Sequence, residues 1–271
     1  MKIPGVIVLY NPDIIDVISN IRSYIEILDI LYVFDNSENN TQNKLELEKA
    51  FDKVKYYSYN ENRGIAFALN YILEIAKQSE YDWILTMDQD SSFLLPDGFK
   101  CYVEVIEKEL DDRIALFCPI YPEETTATPQ FYTSGAIMNL QAWMNVGKFD
   151  EKLFIDEVDG DYTYRLSEAN YKLKKISNSE LVHKLVDKCY RRILNKTFCS
   201  DNHSALRKYY IARNRVYLIK KRPSMRLIYL SDSFTKFVLF MLVETEKKNK
   251  LTMIFKGIYD GLVNKMGKYS N

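Results

Sequence analysis

At 271 residues, with 47% hydrophobic side chains, the chain can bury the core of one large domain or of a domain with an appendage. Four cysteines (Cys101, Cys118, Cys189, Cys199) without CxxC spacing and only two histidines argue against a structural zinc site or a disulfide framework, and fit a reducing cytoplasm. Thirty-seven basic and 37 acidic residues cancel overall, yet Ala205 to Asn271 holds 15 Lys and Arg against 4 Asp and Glu, so a local +11 is balanced by −11 on residues 1–204.

In chain order, "MKIPGVIVLYNP" has an apolar run too short for a signal sequence and no small-residue cleavage site, so "GVIVLY" reads as a first strand. "IIDVISNIRSYIEIL" (14–28) has the period of an amphipathic helix, and "DILYVFDNS" (29–37) reads as a second strand ending in turn residues. "KVKYYSYN" (53–60) reads as a third strand. "NRGIAFALNYILEIAKQ" (62–78) follows as a helix with Ile65, Leu69, Ile72 and Ala76 on one face, and "YDWILTMD" (81–88) as a fourth strand. Repeated strand-helix-strand units predict an α/β fold with a mostly parallel central sheet flanked by helices. Ligands of such sheets bind at the carboxyl ends of the strands. The polar strand ends are Asn11; Asp35, Asn36 and Ser37; Asn60, Glu61 and Asn62; and Asp88, Gln89 and Asp90.

Beyond a helix in "DGFKCYVEVIEKEL" come strand-like "RIALFCPIY" and "QFYTSGAIMN", separated by the loop "PEETTATP". A short helix, a loop and a longer helix then lead to a strand near "KKISNSELVHKL". From Ser204 the texture changes to long helices with basic and aromatic residues interleaved, so residues 1–204 are expected to form the main α/β domain and 205–271 a helical extension. "FVLFMLV" is far shorter than the ~20 residues needed to cross a bilayer. A basic tail can face nucleic acid, anionic lipid or a diphosphate, or simply be a solvated helical face.

Two carboxylates one residue apart, Asp88 and Asp90, offer oxygen ligands to a hard divalent ion that completes its shell with water and phosphate. Turn aspartates are the plainer reading. Asp35 at a strand end can accept hydrogen bonds from a ribose or base, or cap a helix, and Gly64 lets backbone approach a ligand, or starts a helix. "FIDEVDGDYTYRL" places Asp156, Glu157, Asp159 and Asp161 ahead of a helix. Some of these acids serve the helix amino terminus, and the apolar "LFI" before them points at least one into a pocket.

The ordered series "VLYNP", "DNSENNT", "NRGIAFALN", "MDQDSSF", "TSGAIMN", "GKFDEKLFIDEVDGDYTYRL" and "LVHKL" resembles the family 2 glycosyltransferases, and is closest to their rhamnosyltransferase-like branch, over roughly residues 4–220. The resemblance implies a GT-A nucleotide-diphospho-sugar transferase fold and inverting transfer of a sugar from a nucleotide diphosphate-sugar to a hydroxyl. It implies dTDP-L-rhamnose or a UDP-hexose as donor, and a glycan or lipid-linked saccharide of cell-surface polysaccharide synthesis as acceptor. Carried over by position, Asp35 holds the nucleoside beside a wall of Tyr10, Asn11 and Pro12, and Asn62, Arg63 and Gly64 lie under the base and near the diphosphate. Asp88 faces the ribose or the metal, Asp90 is the direct ligand of Mg or Mn, and His183 completes the metal shell. The base aligns best with Asp159, with Asp156, Glu157 and Asp161 left open. Arg213 and Asn214 match a late motif whose role is open between packing and diphosphate or acceptor contact.

Two further readings use the same residues. A nucleotidyltransferase would carry a glycine-rich basic loop after the first strand, where this chain has "LYNPDII". A catalytically silent nucleotide-sugar-binding protein would have lost the metal acid, the base or the histidine. For the tail, the +11 balance with Phe234, Phe237, Leu239, Phe240, Met241 and Leu242 suggests peripheral contact with the inner face of the plasma membrane; burial against the catalytic domain or in a homodimer is the alternative. Nucleic acid is not an expected partner.

Overall fold

The structure, a computed structural model, describes residues 1–95, 97–121, 131–183 and 188–270, without the side chains of Asn178, His183 and Ile193. The expected loop "PEETTATP" and the last two residues of "LVHKL" lie outside the described residues. The chain forms two compact units, Met1–Glu151 with Val158–Lys184, and Lys152–Glu157 with Leu185–Asn271. They divide near residue 184, where composition had suggested 204.

Unit 1 is an α/β unit around an eight-stranded sheet. Its strands are β1 (Gly5–Leu9), β2 (Leu31–Asp35), β3 (Val54–Ser58), β4 (Trp83–Asp88), β5 (Ser91–Phe93), β6 (Ile114–Ile120), β7 (Ala136–Asn139) and β8 (Lys172–His183), in spatial order β3-β2-β1-β4-β7-β6-β8-β5. The first four run parallel, β7 is antiparallel to both neighbours, and β6 and β8 pair parallel. Every residue of β1 and β2 is buried, which is why both read as unbroken apolar runs: helices cover both faces of a parallel sheet. Those helices are α1 (Ile14–Ile21), α2 (Thr41–Ala50), α3 (Ile65–Gln78), α4 (Gly98–Glu107), α5 (Leu140–Val146) and α6 (Val158–Glu168).

The helix expected over 14–28 stops at Ile21, and a 3-10 turn at Ile25–Ile27 follows. Ser23 explains the break. Its hydroxyl donates to the Asn20 carbonyl (2.7 Å) and accepts from the Phe93 amide (3.1 Å), so the turn is tied to β5 and its local bond competes with the helix ladder. On α3 the buried Asn70 exchanges two hydrogen bonds with the Phe149 backbone (2.9 and 3.0 Å), fixing the loop that follows α5.

Unit 2 holds a hairpin, β9 (Lys188–Ile193) and β10 (Lys196–Asp201), and helices α7 (Ala205–Lys221), α8 (Arg226–Val243) and α9 (Lys247–Leu262). Helices α7 and α9 touch backbone to backbone. A Cβ on Gly257 would sit 2.4 Å from the Tyr209 carbonyl oxygen, and one on Gly261 2.6 Å from that of Arg213, so the approach needs glycine at both positions. Arg213 and Asn214 are fully buried inside this unit. Arg213 donates to the carbonyls of Gly267 (2.5 Å) and Leu153 (3.0 Å), and Asn214 to those of Leu153 (2.9 Å), Ile155 (2.7 Å) and Asp156 (3.0 Å). They thereby hold a segment in which Phe154, Asp156 and Glu157 all adopt left-handed φ near +64°, a conformation costing about 1–3 kcal/mol per non-glycine residue.

His203 introduces α7. Burial, and then the charge of Arg207, push its pKa down to about 4. The unfolded chain takes up this proton below about pH 6.5, while the folded chain waits until about pH 4. The histidine's contribution to stability is therefore complete above pH 6.5 and declines as pH falls toward 4. Thermal melts at pH 7 and pH 5 should show a lower midpoint at pH 5, and His203→Gln should make the decline shallower; an equal decline in the variant would count against this histidine.

Candidate functional site

Strand register sets the site at the carboxyl edge of the parallel strands. Leu9 at the end of β1 pairs with Asp35, and Val8 with Asp88, so the two acids close β2 and β4 on either side of β1. Asp35 is 0% exposed and accepts three hydrogen bonds, from the Ser37 amide (2.7 Å), Asn43 Nδ2 (2.8 Å) and the Tyr56 hydroxyl (2.5 Å). Burial, with the hydrogen bond to Asp35, holds the Tyr56 phenol far above its ordinary range. Ser37 accepts in turn from the amide of Asn11 (2.7 Å), which has a left-handed φ of 44°. A buried carboxylate thus orders the turn that holds the exposed wall of Tyr10 and Asn11, beside half-buried Pro12.

Asn36 ties that turn to α3. Its Oδ1 accepts from the Arg63 amide (3.1 Å) and its Nδ2 donates to the Gly64 carbonyl (3.3 Å), while Asn62 Oδ1 accepts from the Gly64 amide (2.9 Å). Gly64 stands at the amino terminus of α3, where backbone N–H groups and the helix dipole favour an anion. The Arg63 guanidinium stacks 4.0 Å from the ring centre of Phe67 and 5.0 Å from that of Tyr59, with Glu61 at 3.4 Å.

Asp88, the last residue of β4, and Gln89 and Asp90 in the turn to β5 are half-buried. Gln89, read from the sequence only as part of a polar strand end, clasps the Tyr10 backbone: its Oε1 accepts from the amide (2.8 Å) and its Nε2 donates to the carbonyl (3.3 Å). The Asp88 amide donates to Ser134 Oγ (3.2 Å), whose own hydroxyl donates to Ser91 Oγ (2.9 Å). Ser91, next to Asp90, pairs with His183 across β5 and β8, so the backbone register brings the histidine position to the aspartate pair. The His183 side chain is outside the described residues, among which no three His, Cys, Asp or Glu side chains gather as a metal site. Two half-buried carboxylates beside a histidine position fit the oxygen and nitrogen donors a divalent cation takes.

The acidic cluster is sorted by its partners. Arg207 Nε donates to Asp156 Oδ1 (3.0 Å), and Arg215 Nε to Glu157 Oε1 (2.7 Å). Burial nonetheless raises the Asp156 pKa against the pull of Arg207. Asp161, 1% exposed, accepts from Arg165 Nε (2.8 Å), and Arg165 also donates to the carbonyls of Val146 and Lys148, which makes this pair a brace for the loop after α5. Asp159, half-buried in the first turn of α6, accepts from the neutral hydroxyl of Thr133 (2.9 Å).

Thr133 and Ser134 join the acidic cluster to the aspartate pair. One bonds Asp159; the next accepts from the amide of Asp88. Gly135 makes the bend possible: its φ is +75°, its amide bonds the Thr86 carbonyl (2.7 Å), and a Cβ there would lie 2.8 Å from Pro119 Cγ. Tyr121 donates to the Ser134 carbonyl (2.7 Å). Burial first, and among the nearby groups the charges of Asp159 and Asp88, keep its phenol protonated well above the ordinary range. The signal for Thr133 and Ser134 was present in the motif "TSG"; Tyr121 and Ser91 carry no local signal.

Comparison with known proteins agrees with this arrangement. Over 287 aligned positions the chain is 25% identical to dTDP-rhamnosyl transferase RfbF of Shigella flexneri, covering 95% of this chain and 93% of the relative. Its backbone is similar to the crystal structure of TarS from S. aureus, with a TM-score of 0.50 and 14% identity over 66% of this chain and 36% of that longer one, a likeness of fold. Residues 6–166, from β1 through most of α6, match the profile of glycosyl transferase family 2. Because that span holds β1, β4 with its aspartate pair, the Thr133 bend and Asp159, the chain belongs to glycosyl transferase family 2: it is a glycosyltransferase with a GT-A fold.

Proposed function

We propose that this chain is an inverting transferase that moves a sugar, with dTDP-L-rhamnose the favoured donor and a UDP-hexose the competitor, to a hydroxyl of a glycan or lipid-linked saccharide in cell-surface polysaccharide synthesis. One observation carries the reading. Hydrogen bonds through Thr133 and Ser134 bring Asp159 to the Asp88 and Asp90 turn, although the sequence separates them by some seventy residues. The likeness to a protein named dTDP-rhamnosyl transferase supports the donor.

All of the proposed chemistry lies in unit 1. Tyr10, Asn11 and Pro12 receive the nucleoside, on a turn that the buried Asp35 holds in place through its three donors. Asn62, Arg63 and Gly64 present the amino terminus of α3 to the diphosphate. Asp159 takes the proton of the acceptor hydroxyl as that oxygen attacks the anomeric carbon. The bond from that carbon to the diphosphate breaks, and its electron pair leaves with the nucleotide. Asp88, Asp90 and His183 would hold Mg or Mn, which when bound neutralises charge on the leaving diphosphate. Calorimetry with Mn against dTDP-L-rhamnose, UDP-galactose, UDP-glucose and UDP-galactofuranose should rank dTDP-L-rhamnose tightest. A chain that binds no nucleotide sugar in the presence of metal would overturn the reading.

A further inference from the structure

Unit 2 turns an apolar helix face to solvent. Along α8, Leu227, Leu230, Phe234, Phe237, Val238 and Met241 are exposed, Leu227 at 80% and Phe234 at 70%. Their spacing of three and four residues puts them on one side of the helix, while Tyr229, Phe240 and Val243 are buried on the other. The surface suggested by the sequence is thereby redrawn: Phe240 packs inward and Leu239 and Leu242 are half-buried, whereas Leu227, Leu230 and Val238 join the outer face. Helix α8 packs on the hairpin, where Arg191 donates to the Leu242 carbonyl (2.9 Å). The hairpin tip exposes Leu194 at 93%, between exposed Arg192 and Lys196.

Charge decides what covers this face. Unit 2 carries 20 Lys and Arg against 8 Asp and Glu, a net +12, with Arg226 exposed at the start of α8, Lys236 exposed but 3.2 Å from Asp232, and Arg192 and Lys196 exposed at the hairpin tip. A second copy would carry the same net positive charge, which opposes the pairing of like faces. An anionic bilayer accepts the apolar stripe among its acyl chains and the cations among its headgroups. Among the described residues no helix is long and apolar enough to cross a membrane. We propose that α8 and the hairpin tip lie in the plane of an anionic lipid surface and dock the chain there. The inference stands on unit 2 and is independent of the transfer reaction.

Flotation of the full chain with vesicles tests it. The chain should float with an equal mixture of phosphatidylcholine and phosphatidylglycerol at low salt, be released as salt rises, and ignore phosphatidylcholine alone. The double variant Phe234→Ser with Phe237→Ser should lose about ten-fold or more in vesicle binding, because both rings leave the stripe. Its nucleotide-sugar binding should stay at the wild-type value, and Leu227→Ser with Phe234→Ser, at positions 80% and 70% exposed, should show a similar loss of vesicle binding at the wild-type thermal midpoint. No flotation with the anionic vesicles, or undiminished flotation of either double variant, would overturn the proposal. So would sedimentation velocity showing a dimer that either double variant turns into a monomer, because the face would then belong to a second copy.

Discussion

Asp159→Asn is expected to lower the transfer rate by about 10³-fold while leaving nucleotide-sugar affinity unchanged. The amide is the same size as the carboxylate, and its oxygen can still accept from Thr133, so the first turn of α6 and its tie to the Thr133 bend survive. What disappears is basicity: an amide does not take a proton from an attacking hydroxyl. Calorimetry for donor binding and product formation for transfer separate the two effects. The neighbouring acids behave differently. Asp161→Asn would weaken a buried pair with Arg165 that braces the loop after α5, so its effect should appear first in the thermal midpoint. Transfer by Asp159→Asn at the wild-type rate would move the base elsewhere in the cluster.

The second large effect is expected from Asp90→Ala. With Mn present, donor affinity should fall about 100-fold, or ~2.8 kcal/mol, and without metal the variant and the parent should bind donor equally weakly. Asp90 is half-buried in a turn between two strands, so its loss leaves the sheet pairing in place. The neighbouring turn residue has another task, since Gln89 grips the Tyr10 backbone by two hydrogen bonds. The metal dependence of the loss is the deciding readout: an equal fall with and without Mn would assign Asp90 to the turn's structure, and an unchanged affinity would remove it from the metal shell.

Much of unit 1 was legible because its signals are local. The strands β1 and β2 are short unbroken apolar runs followed by polar residues, as a parallel sheet covered on both faces demands, and β4 keeps that pattern except at the buried Thr86. Helix α2, the three-residue β5 and the hairpin of unit 2 escaped, the first and last for plain physical reasons. Helix α2 buries only Leu47 and so shows almost no apolar face. The hairpin β9–β10 turns on Leu194 and Asn195, both with left-handed φ, a two-residue turn without the glycine that usually marks one. The break of the helix over 14–28 depended on Ser23 meeting β5, seventy residues away along the chain.

The acids show the same division. That Asp88 and Asp90 close a buried strand, and that a cluster of acids opens α6, follows from the chain's own order, because a strand end and a helix start are made by neighbours. Which acid does what was decided by partners far off in sequence. Asp156 meets Arg207 51 residues on, Glu157 meets Arg215 58 residues on, and Asp159 meets Thr133 26 residues before it. In unit 2 the sequence similarly determined a basic, amphipathic tail, and folding alone chose which apolar side of α8 to bury. A charge or an apolar face is written locally; whether it is neutralised, covered or left open depends on what the folded chain brings against it.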